Sequence, residues 1–63
     1  MCESTVFLEE NGTTREIMGG VARIVMRGDD AVLIDIVGEQ SVLEGVVFSE
    51  ANLLSHGIVF RKR

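Results

Sequence analysis

What most constrains this chain is how often it has to turn. Gly, Asn and Asp recur at short intervals, in ENG at 10–12, MGG at 18–20, RGDD at 27–30, VGEQ at 37–40 and SHG at 55–57. The runs between them are rich in Val, Ile, Leu and Phe, residues that favour pleated, half-buried strands. No run gives a convincing long helix. Only SEANLLSH leaves a choice, between a single helical turn opened by Ser49 and a strand.

The first run, STVFLEE, alternates around Val6 and Leu8, with Cys2 and Ser4 on the same parity. Glu10-Asn11-Gly12 is a strong hairpin signal, because Asn and Gly accept the positive φ of such turns. Thr13 to Ile17 would be the returning strand, and MGG the next interruption. VARIVMR then sets Ala22, Ile24 and Met26 on one parity and Arg23 and Arg27 on the other. After the Gly28-Asp29-Asp30 turn, AVLIDIV groups Val32, Ile34 and Ile36, with Asp35 outward. QSVLEGVVFSE reads as one strand bent at Gly45, since a glycine within a strand pattern often marks a bulge or corner. IVFRK closes the chain as a final strand. The expected fold is all-β: five or six short antiparallel strands in a small SH3-like barrel or sandwich, one domain over residues 1–63.

Sixty-three residues bury a modest fraction of their surface, so such a core needs a supplement. One cysteine excludes an internal disulfide, and one Cys with one His falls short of a closed structural zinc site. Association remains, and a homodimer is expected. At 46% hydrophobic the chain is too apolar for disorder, yet no apolar run approaches a membrane span. A single reduced thiol and no visible export signal point to the cytoplasm. The net charge of −4 suits a cationic or neutral partner, or a metal cation, better than nucleic acid.

Little in the chain carries chemistry. There is no nucleophile elbow, no dinucleotide glycine pattern and no P-loop. Asp29 and Asp30 read as solvated turn residues rather than a catalytic dyad, which burial would have to create. No enzyme activity is expected. His56, between Ser55 and Gly57, is either an exposed turn histidine or a metal ligand, as imidazole suits nickel, copper and zinc. Met26 reads as core, and so do Phe7, Phe48 and Phe60. The tail Arg61-Lys62-Arg63 reads as a solubilising strand end.

Cys2 is the open question. It is either an apolar filler at the start of strand one or a metal ligand. Processing commonly removes Met1 before a residue as small as Cys. The thiolate, the freed α-amine and a deprotonated amide would then surround one metal in a plane, a geometry that Ni(II) and Cu(II) favour. A second copy would bring a second thiolate.

The start MC, the strand VFLEENG, the alternating RIVMRGDDAVLIDIVGEQ, Gly45, the pair Leu53-Leu54 and the closing GIVF together resemble the CooT-like family of small nickel-binding proteins. The resemblance spans nearly the whole chain. It implies a nickel accessory protein, a metallochaperone or nickel store for an enzyme such as carbon monoxide dehydrogenase. It also implies that Cys2 is the Ni(II) ligand, in a homodimer. Relatives have carried an RNA-binding label too, and the alternative is a small-barrel RNA-binding or protein-interaction module without metal. The acidic charge and the absence of Tyr and Trp speak against the RNA reading.

Overall fold

The computed structural model describes residues 3–63, so Met1 and Cys2 lie outside the described residues. Six strands form one sheet: β1 (Ser4–Glu10), β2 (Thr13–Arg27), β3 (Asp30–Asp35), β4 (Gln40–Leu43), β5 (Val46–Asn52) and β6 (Gly57–Lys62). Their order across the sheet is β4-β3-β2-β1-β6-β5. The all-β expectation holds. All pairings are antiparallel except β1 with β6, which run parallel, so the sheet is mixed.

The two tight hairpins lie where the turn residues put them. Asn11 and Gly12 have φ of 54° and 78°, the double positive value of a type I′ turn, with Glu10 facing Thr13 across it. Arg27 faces Asp30 across Gly28-Asp29. MGG, by contrast, does not break the chain. β2 runs through it as one strand of 15 residues. Register shifts against β1 between Glu16 and Val21, and against β3 between Val21 and Arg23, absorb the bend as bulges. The first half of β2 therefore serves β1 and the second half serves β3.

A second correction falls at Gly45. QSVLEGVVFSE is not one bent strand but two, β4 and β5, at opposite edges of the sheet. Gly45 has φ 65°, and a Cβ there would meet no atom within 4 Å, so glycine is needed for the backbone alone. Only residues 44 and 45 separate the edge strands, and three Cα steps reach roughly 11 Å at most. The hydrogen-bonded sheet stays open, but it must curl until its edges meet. At that seam Val46 N–H donates to the Asp29 carbonyl and Arg63 N–H to the Gly45 carbonyl, each at 2.9 Å. The stretch SEANLLSH continues β5 to Asn52 and then turns, with no helical turn.

Inside the curl lie Val6, Leu8, Val21, Ala31, Leu33, Val46 and Phe60, with Ile17, Met18, Ile24, Leu43 and Ile58 packed against them. This corrects the parity expected for β3. Ala31 and Leu33 are fully buried, and Val32 and Ile34 face the other way. Register agrees, since Met26 faces Ala31 and Ile24 faces Leu33 on the core side. Met26 and Phe48, core residues by their pattern, are instead 44% and 55% exposed. Each sits on the core-facing side, Phe48 opposite Phe60 and edge-on to its ring at 6.1 Å, where the curled sheet gapes. Phe7 is half-buried. Among the described residues no polar side chain is buried.

Candidate functional site

The start of β1 is held on both sides. Ser4 faces Val21 of β2 and Thr5 faces Gly57 of β6. The row continues outward, from Val21 to Asp35 and from Gly57 to Asn52. The Thr5 N–H donates to the His56 carbonyl at 2.9 Å. The turn between β5 and β6 therefore lies directly against the start of β1. Glu3 reaches Gly20 on the other flank, its Oε1 3.8 Å from where a Cβ would be.

That turn is internally fixed. The Asn52 side-chain oxygen accepts from the N–H groups of Leu54 and Ser55, both at 3.1 Å. This Asx pattern is what Asn supplies at turns. His56 follows with φ 58°, in the left-handed region. Leu53 and Leu54 stand almost free, 80% and 95% exposed.

Of the residues read from the sequence as site candidates, His56 is therefore next to the start of β1 through its backbone. Spacing alone gives no reason to bring it towards Cys2, because a parallel pairing between first and last strands leaves no local signal. Cys2 itself precedes the described residues. Among the described residues no group of three or more His, Cys, Asp or Glu side chains gathers as a metal site. Asp29 and Asp30 have structural work at the seam instead. Asp29 Oδ1 pairs with Arg63 Nη2 at 2.8 Å, and Asp30 Oδ1 accepts weakly from Gly45 N–H at 3.4 Å. The Arg63 end of the basic tail is thus tied to the β2–β3 turn, in a pair more than half exposed and worth about 0–1 kcal/mol. An open cleft of about 360 Å³ lies at the far end of β1, between Glu9–Gly12 and Arg61–Arg63. Its walls carry both signs of charge. No helix among the described residues is long and apolar enough to cross a membrane.

Comparison with known proteins decides the family. Residues 1–61 match the family described as CO dehydrogenase accessory protein CooT. The chain belongs to the CooT family. CooT is an accessory protein to an enzyme and not itself the enzyme, in agreement with the lack of catalytic motifs. The fold agrees as well. A crystal structure assigned to a CooT protein from Carboxydothermus hydrogenoformans superposes with a TM-score of 0.86 at 18% identity, covering 98% of each chain. At that identity the likeness speaks for the CooT fold alone. No curated protein sequence matches the chain.

Proposed function

We propose that this CooT-family chain is a cytoplasmic nickel-binding accessory protein for CO dehydrogenase, taking Ni(II) as cargo through the Cys2 thiolate of a homodimer. The observation that carries this reading is the family match over residues 1–61, a span that includes the only thiol in the chain. The described residues offer no rival cluster of metal-ligating side chains. β1 begins two residues after Cys2 and is flanked by β2 and β6.

A thiolate is a strong, soft donor, and backbone nitrogens near an N-terminus suit planar Ni(II). Two subunits supply two thiolates, so one metal per dimer is expected. Titrating the reduced protein with Ni(II) should give thiolate-to-metal charge-transfer absorption that saturates at that ratio. Intact mass on the same sample tells whether Met1 is present and hence whether a free cysteine amine is available. Cys2→Ser should abolish the absorption and weaken binding by more than about 100-fold, the upper end of what losing a mere hydrogen-bond partner of a ligand costs. Binding by Cys2→Ser as tight as the parent's sinks the assignment of Cys2.

A further inference from the structure

One strand of this sheet is apolar on both faces, and the core covers only one of them. In β3, Ala31 and Leu33 fill the interior, yet Val32 and Ile34 on the other face are apolar too. Register extends that outer parity sideways, Val25 of β2 facing Val32, and Val32 facing Val42 of β4. Paired residues share a face, so Val25, Val32, Ile34 and Val42 make one aliphatic patch across three strands. Strands apolar on both faces belong to sheets covered on both sides. The Cys2-centred homodimer does not by itself supply that cover. In the sheet order, β3 and β4 stand two and three strands away from β1.

We infer that the outer face of β2-β3-β4 is where the client enzyme, CO dehydrogenase, docks, through an apolar surface edged with carboxylates. The inference rests on the client in the function proposed above and adds the surface that meets it. Charge decides which kind of partner fits. Arg23 and Arg27 stand on either side of Val25 in β2, with the same parity, and both are exposed. The ion pair found among the described residues joins Arg63 to Asp29, so neither guanidinium is neutralised by a neighbour. Asp30, which faces Arg27, accepts from the Gly45 N–H instead. In a chain of net charge −4, two unpaired arginines bordering an aliphatic row are a local reversal of sign. Interfaces combine these two things, an apolar centre depleted of charge and an enrichment in Arg. The planar fork of a guanidinium matches a carboxylate, so the partner's acidic groups belong over β2. Glu39 and Glu44, just beyond the two ends of β4, keep acidic groups away from the other side.

The test is the dissociation constant between the full chain and purified, nickel-free CO dehydrogenase from the same organism, read by biolayer interferometry with the enzyme immobilised. Circular dichroism checks that each variant is folded. Val42→Lys puts an ammonium group into the aliphatic row and should raise the constant at least about ten-fold, the loss expected of a central interface residue. Arg23→Glu and Arg27→Glu turn attraction into repulsion and should each raise it at least about three-fold at low salt, less as salt screens the charges. Arg15→Glu makes the same change in net charge from the first half of β2, where Arg15 faces Leu8, and should stay within about two-fold of the parent. A parent without affinity for the enzyme, a Val42→Lys protein that binds as tightly as the parent, or equal losses from Arg15→Glu and Arg23→Glu overturn the docking face. Sedimentation equilibrium supplies one more way to fail: if Val42→Lys turns a dimeric parent into a monomer, a second copy holds the patch. The nickel titration is read separately. A parent that loads nickel but has no affinity for the enzyme sinks the docking face alone, whereas docking through the patch without nickel uptake leaves the face standing and sinks the nickel reading.

Discussion

Asn11 and Gly12 show how far a single residue can be read from sequence. A two-residue hairpin needs positive φ at both central positions, and both have it. A Cβ at Gly12 would touch nothing within 4 Å, so Gly12→Ala tests backbone strain with no steric contribution. The expected cost is about 1–2 kcal/mol, the left-handed penalty of an L-residue, with Gly12→Asn costing less. In a domain this small each kcal/mol lowers the melting temperature by roughly 4–8 °C, so thermal melts of the two variants separate them. Cys2, which lies outside the described residues, stands out in the sequence for another reason: it is the chain's one thiol. The closeness of His56 to the start of β1 is not legible, since it comes from pairing with a strand at the far end of the sequence.

At the level of elements, the runs of Val, Ile and Leu identify the strands but leave their facing ambiguous. In β3 either parity is apolar, so alternation favours Val32, Ile34 and Ile36 as readily as Ala31 and Leu33. Neighbouring strands decide it, and they are not local. Two variants measure the outcome. Leu33→Ala should lose about 2–5 kcal/mol by urea unfolding, because it opens a cavity in a fully buried site. Ile34→Ala, measured at the lowest workable concentration, should lose less than about 1.5 kcal/mol, the range of ordinary surface-side truncations. Equal losses would contradict the observed register. MGG and Gly45 exchange the roles their patterns suggest for a related reason. Glycine signals a change of backbone direction, but whether that change is a bulge within one strand or the end of it depends on which partner each half finds.

For the whole molecule, the proposed homodimer would make stability a property of concentration. If two copies share the load, mass action ties the melting temperature to protein concentration. Raising the concentration tenfold should then shift it upwards, as calorimetry at two concentrations reads, and no shift would count against the homodimer. The parallel pairing of β1 with β6 has a different consequence, in time. Leu8 faces Phe60 across roughly fifty intervening residues, and β5 takes its place in the strand order beside β6. At about 5–20 residues per second, synthesis leaves Val6 and Leu8 without their β6 neighbours for several seconds. The nascent chain therefore carries its first strand as an open apolar edge until the last strand emerges, which makes this interval the one in which a chaperone has something to hold.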